Sequence, residues 1–370
     1  MSFSAAPMYG PERYTRATVA ESPSLLANNL TAGPSVVAYV HDCQALMVPL
    51  ERLLIGARSE KLPIFSKGGN RTATQVKIVT LGPNSFFVLC TVEGVHFFDA
   101  AGYACLHSHL FADDTQHETG NGGNGPVVVD GGGVVGACAR GVCVSTSWDG
   151  HVQVCVGTAS GRVLVFEHDG VDKFALTSAT LETGERCPIA DVASEVDSRR
   201  GAFPPDCCLT TEQRCVLATG NGNGTVAVWD VSSSDTFSVT FSVKRKTPVT
   251  ALAVRNGIVV IAESSGVLGF LSTKTQSLFC ELQAHQRFLS AMATHPAKDV
   301  VATVAEDGTI GVWTIPKEFE DEKHTHGTDP TSLFAKRWAD GMLTGVAFCG
   351  DGNDAIAVCA YDETEILAWQ

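Results

Sequence analysis

The chain has 370 residues, 44% hydrophobic and 18% charged, and 26 Lys and Arg against 40 Asp and Glu give a formal net charge of −14. That apolar fraction excludes disorder over most of the length, and no apolar run approaches the ~20 residues of a membrane-spanning helix. The negative balance excludes a general attraction to nucleic-acid phosphates or anionic lipid, so the chain reads as a soluble globular protein whose partners are other proteins, with no nucleic acid and no membrane insertion.

The first residues, Met1-Ser-Phe-Ser-Ala-Ala-Pro-Met-Tyr-Gly-Pro11, lack the basic stretch and apolar run of a secretory signal. Residues 1–23 are expected to be a flexible tail and residues 24–370 a single domain. The 13 cysteines are odd in number and irregularly spaced, with no Cys-x-x-Cys. Cys90, Cys143, Cys155 and Cys359 sit inside apolar runs, as reduced cysteines do when they serve as small core hydrophobes of an intracellular protein. A cytoplasmic location is expected, with no disulfide scaffold, metal or cofactor.

Past the tail, short Val-, Ile- and Phe-rich runs are punctuated by Gly, Asn and Asp turns, the pattern of many antiparallel strands. Residues 25–30 form a short apolar stretch, 36–40 and 45–50 read as two strands, and a third, less distinct, precedes Gln75. One motif then recurs: a small apolar run, a Gly/Asp/Asn turn and a Val-rich run ending on a large apolar residue. It runs from Leu89 to Phe98, from Cys155 to Phe166, from Leu217 to Trp229, from Ile261 to Leu271, from Ala302 to Trp313 and from Val358 to Trp369. The two middle steps, 229 to 271 and 271 to 313, have one length within the ~40–45 residues of a four-stranded propeller blade. The longer steps each hold a polar insertion, at about 111–126, 194–206 and 316–332, which surface loops accept cheaply.

Strand composition agrees with a propeller. Val226 and Val228 alternate with Ala227 and Trp229, so both faces are apolar, as a blade covered by a neighbour on each side requires. The expectation is an all-β fold, a single β-propeller of seven four-stranded blades, with six as the alternative. The last copy stops at Gln370 without an outer strand. Residues 25–30 are expected to fill that place, closing the ring by pairing the two chain ends.

The Trp229-Asp230 dipeptide and the unit from His285 to Trp313 resemble WD40 repeats. That resemblance implies a hydrogen-bonded structural tetrad of His285, Thr303, Asp307 and Trp313, in which the neutral His285 ring donates to Asp307. The remaining blades depart from the pattern, with Phe98, Phe166 and Leu271 in place of Trp. Asn28-Asn-Leu30, Gly102-Tyr103, the stretch from Cys155 to Phe166, Ala305-Glu-Asp-Gly-Thr309 and Ala360-Tyr-Asp-Glu-Thr-Glu-Ile366 look like a small, single-propeller branch of the same family. This implies no catalytic motif and suggests a link to ciliated or flagellated cells.

Other patterns carry little chemistry. Gly131-Gly-Gly-Val-Val-Gly136 fits G-x-G-x-x-G, but a strand-like run follows it where a dinucleotide site needs a helix. Asn221-Gly-Asn-Gly224 lacks the Gly-Lys-Ser/Thr of a phosphate loop and reads as a tight turn. His107-Ser-His109 and His324-Thr-His326 are each two imidazoles short of a metal site. Lys244-Arg-Lys246, the only basic triplet, reads as a solvated turn with an option to dock an acidic partner. No Gly-x-Ser-x-Gly elbow is present.

The expected function is therefore a non-catalytic protein–protein interaction scaffold or adaptor. Glu93, Ser160, Asn223, Glu306 and Asp362, which precede the same strand of their blades, are the candidate partner-binding turns, favouring a basic or neutral surface. The alternatives are a structural component of a ciliary or flagellar assembly and a propeller hydrolase acting near the central channel.

Overall fold

Strand Thr225–Val231 shows the local logic of the molecule. Val226 and Val228 pack toward one neighbouring sheet, Ala227 and Trp229 toward the other, and all four are buried. Two apolar faces make such a strand stable only inside a stack of sheets. The computed structural model describes residues 14–64, 72–111, 128–129, 133–134, 138–147, 150–182, 187–195, 216–233, 235–317, 329–338, 341–350, 352 and 354–370.

Seven antiparallel four-stranded sheets follow one another along the chain. Blade 1 consists of Thr31–Ala32, Val36–His41, Gln44–Pro49 and Leu62–Pro63, and blade 2 of Ala73–Leu81, Asn84–Thr91, Gly94–Phe98 and Cys105–Leu110. Blade 3 is Ala139–Thr146, Val152–Thr158, Arg162–His168 and Phe174–Glu182; blade 4 is Ile189–Ser194, Val216–Asn221, Thr225–Val231 and Phe237–Lys244. Blade 5 is Val249–Arg255, Ile258–Glu263, Val267–Ser272 and Ser277–Gln283; blade 6 is Leu289–Thr294, Val300–Ala305, Thr309–Thr314 and Ser332–Arg337. Blade 7 takes Leu343–Cys349, Ala355–Ala360 and Glu365–Trp369 from the end of the chain and Tyr14–Thr18 from its beginning. The first strand of each blade lies beside the first strands of the adjacent blades and lines the centre. The predicted seven-bladed propeller is the observed fold.

Ring closure joins the two chain ends, as expected, but through a different segment. Tyr14–Thr18 pairs with Glu365–Trp369 in the register Tyr14 to Trp369 and Thr18 to Glu365. Residues 25–30 lie elsewhere, and Tyr14–Thr18, placed by the sequence reading in a flexible tail over 1–23, is instead a propeller strand. The reason is physical: of the closing strand only Ala17 is fully buried, so it shows no apolar alternation for the sequence to reveal.

Among the described residues the core is divided into seven apolar clusters, each spanning one blade-to-blade junction. A five-residue helix, Leu50–Leu54, follows the third strand of blade 1 and buries Leu50 and Leu53 in its junction with blade 7. Cys90, Cys155, Cys349 and Cys359 are buried free thiols, while Cys143 is only partly buried. Burial pushes the thiols of Cys349 and Cys359 up to about 12. The interiors of the three predicted insertions lie outside the described residues. Their flanks place 111–126 between blades 2 and 3, 194–206 between the first two strands of blade 4, and 316–332 before the outer strand of blade 6, with Ser194 and Ser332 already in strands.

Candidate functional site

In blade 6 the hydroxyl of Thr303 is the centre of the tetrad. Trp313 Nε1 donates to Thr303 Oγ1 at 2.9 Å, and His285 Nε2 stands 2.8 Å from the same oxygen. The predicted His285–Asp307 bond is not made: Nδ1 lies 3.6 Å from Asp307 Oδ1, an electrostatic contact beyond hydrogen-bond length. Asp307 instead holds the turn by accepting the N–H of Thr309 at 2.8 Å and of Gln286 at 3.2 Å. Burial lowers the pKa of His285 against the pull of Asp307, so the ring is neutral at pH 7. Burial would raise the Asp307 carboxyl, but those two N–H groups and the His285 ring hold it below its usual range. Blade 4 repeats half of the device, with Trp229 Nε1 donating to Thr219 Oγ1 at 3.0 Å.

The five predicted turn residues all lie in the turn between the second and third strands of blades 2, 3, 4, 6 and 7. Blades of one topology, arranged in one ring, put those turns on one face. Glu93, Ser160, Asn223 and Asp362 are exposed and Glu306 half-buried. Blade 1 contributes Asp42, which is missing from the sequence-based set because its blade carries no recognisable repeat; its side chain is 81% exposed. Gly308 has φ +72°, and a Cβ there would stand 2.6 Å from the Trp338 carbonyl oxygen.

Residues 24–30 cross the same face and enter the centre of the ring. The backbone N–H of Asn28 donates to Ser290 O at 3.0 Å, its Nδ2 donates to Thr250 O at 3.0 Å, and its Oδ1 accepts from Met292 N at 3.3 Å. Arg140 Nη2 donates to Ala27 O at 3.0 Å. Asn29 N donates to Thr344 O at 2.9 Å, and the Asn29 side chain caps both backbone groups of Val40, at 2.7 and 3.0 Å. Three residues thus tie together blades 1, 3, 5, 6 and 7. Asn28 adopts φ +53°, a conformation Asn tolerates better than most residues. The pair of asparagines was visible in the sequence, but nothing local marked it as a central plug.

Beside the plug stand the charged groups of the inner strands. Burial raises the Asp191 carboxyl above its ordinary range, opposed by Lys77, Arg140 and the N–H groups of Leu252 and Val192. Asp191 accepts the Leu252 N–H at 2.8 Å. These bonds join blade 4 to blade 5 and engage the carboxylate with backbone.

Two further motifs that lie among the described residues make structural contacts. Arg245, the middle of the basic triplet, is an interior ion-pair partner: it donates to Glu263 Oε1 at 2.6 Å and also to Glu281, and its side chain is only 9% exposed. The idea of an acidic partner docking on it is thereby corrected, although Lys244 and Lys246 remain exposed. The rings of His107 and His109 both pack against Phe166, with centroids 5.9 Å away. Burial lowers the pKa of His107, and His109 adds to the effect. Among the described residues no group of three or more His, Cys, Asp and Glu is placed to hold a metal ion, and no helix is long and apolar enough to cross a membrane. His324 and His326 lie outside the described residues. So does most of the glycine run 131–136, whose described part, Gly133–Val134, is a strand paired with Val128–Val129.

Comparison with known proteins agrees with this geometry. The family model WDR54 matches residues 63–370. WD repeat-containing protein 54 of Homo sapiens is 26% identical over 298 residues, covering 79% of this chain and 77% of that protein. The Mus musculus protein of the same name is 24% identical over 299 residues, covering 80% and 77%. Among solved structures, a chain of the "Crystal Structure of Mitotic Checkpoint Complex" superposes with a TM-score of 0.63 at 15% identity, covering 100% of this chain and 98% of that one, a likeness of fold. With a family model matched from residue 63, at the end of blade 1, to residue 370, and seven blades in place, the chain belongs to the WDR54 family of WD-repeat propellers.

Proposed function

We propose that the chain is a cytoplasmic adaptor that binds a basic or neutral protein surface on the rim formed by the turns of Asp42, Glu93, Ser160, Asn223, Glu306 and Asp362. Membership of a WD-repeat propeller family supports a protein-interaction scaffold in general. The observation that carries the finer reading is the placement of these turns on one face whose centre is filled by the chain's own Ala27, Asn28 and Asn29. A partner approaching that face meets a ring of polar and acidic side chains around the chain's own central segment, and a few anchors on such a rim carry most of the affinity. A hydrolase site at this end of the channel would have to displace the plug.

The test compares a tagged copy with its Glu93→Lys/Glu306→Lys/Asp362→Asn variant, by mass spectrometry of proteins recovered from detergent-soluble and detergent-resistant fractions. Asn at position 362 removes the charge and tolerates the φ of +58° found there. Soluble partners that the variant loses support the reading. Retention of every partner by the variant overturns the rim assignment, and recovery solely in the resistant fraction with axonemal proteins overturns the adaptor in favour of a structural component.

A further inference from the structure

The opposite face carries a groove of about 530 Å³ where the turn ends of blades 1, 2 and 3 meet. Its volume lies in the range of ligand-binding clefts. Pro34, Pro83 and Leu106 line it with apolar surface above the buried ring of Phe86, and the tip of the blade 3 turn contributes Val171 and Asp172. Val171 is 67% exposed, an uncommon position for a β-branched apolar side chain without a partner. Among the described residues the charged groups lining the groove are Asp99 and Asp172, with Lys173 exposed beside Asp172 in the same turn but not in the lining.

Both acidic walls are pre-formed. Asp99 Oδ1 accepts the N–H groups of Tyr103 and Ala104 at 2.8 and 3.0 Å, which fixes the turn of blade 2. Asp169 Oδ1 accepts those of Val171, Asp172 and Lys173 at 2.9, 3.1 and 3.0 Å, which fixes the turn of blade 3. Loops ordered before binding cost little entropy to order on binding.

We infer that this groove is a second docking site, taking an extended peptide segment that carries apolar residues spaced with Lys or Arg. Its apolar lining suits the aliphatic side chains, and its two carboxylates suit the cations. A second copy of this chain fits poorly, because two molecules of net charge −14 repel. The inference goes beyond the rim assignment: it concerns the other face and stands if the rim reading fails. The two sites together would let one ring bridge two proteins.

Fluorescence anisotropy with a short labelled peptide of alternating leucine, proline and lysine tests it, using a glutamate-for-lysine peptide as control. The wild-type chain is expected to bind the lysine peptide and not the glutamate one. Val171→Asp/Asp172→Lys, both at exposed positions and therefore compatible with folding, should weaken binding about tenfold or more. The rim variant described above should leave it unchanged. No binding of the lysine peptide, equal binding by the groove variant, or loss of binding in the rim variant alone would each overturn the assignment. So would concentration-dependent dimerisation in sedimentation that Val171→Asp/Asp172→Lys abolishes, which would make the groove a self-association surface.

Discussion

Asn29 offers the sharpest test of the central plug. The side chain is 2% exposed, and its amide stands in for a stretch of backbone that the two-residue first strand of blade 1 is too short to supply. Oδ1 accepts the Val40 N–H at 2.7 Å, while Nδ2 donates to Val40 O at 3.0 Å and to Ser24 O at 2.9 Å. Asn29→Ala removes three hydrogen bonds worth roughly 1 kcal/mol each and takes this partner from the N–H of the fully buried Val40, while Val40 O keeps the Ser24 N–H at 2.9 Å, so the loss should be about 3 kcal/mol. That is a large share of the ~5–15 kcal/mol typical of a folded domain. Urea unfolding followed by tryptophan fluorescence and far-ultraviolet circular dichroism would read it. Asn28 separates backbone from side-chain effects: Asn28→Gly and Asn28→Ala lose the same bonds, but alanine also pays about 1 kcal/mol for φ +53°. A cost below about 1 kcal/mol for Asn29→Ala would refute the plug as a strut. Identical costs for the two Asn28 variants would refute the left-handed backbone there.

Two further outcomes are expected. Thr303→Val keeps the shape of the tetrad but strands Trp313 Nε1 and His285 Nε2, and should lower stability by about 2–3 kcal/mol in urea titrations, against about 1–2 kcal/mol for Thr219→Val, which deprives Trp229 alone. Acid should destabilise the ring below the ordinary histidine range near ~6.5: His285 has a folded pKa below its unfolded one, so the unfolded chain binds the proton first and stability falls as pH falls. The depressed Asp307 acts in the same direction at lower pH, and His285→Gln should flatten the upper part of the pH profile measured by thermal unfolding.

Much of this was legible locally. Strands apolar on both faces appear in the sequence because each blade has two neighbours, and the turn between second and third strands is legible because Gly and Asn tolerate positive φ. His285, Thr303 and Trp313 are brought together as the resemblance implied, since the repeat places them at characteristic spacing. Asp307 is beside them but holds backbone N–H groups instead of the His285 ring, a difference of ångströms that no spacing reports. Arg245 looked like a solvated turn because its partners, Glu263 and Glu281, belong to the next blade.

What the sequence by itself determined was the repeating unit, its strand composition and turn chemistry, set by interactions within a few tens of residues, and hence a propeller expected to have seven blades. Tertiary structure alone decided how the ring closes and what fills it. The closing strand Tyr14–Thr18 has one fully buried side chain, and Asn28 finds its partners more than two hundred residues away, at Thr250, Ser290 and Met292. Such contacts leave no periodic signal, because each is a single hydrogen-bonding match between distant groups that become neighbours only once the blades have packed.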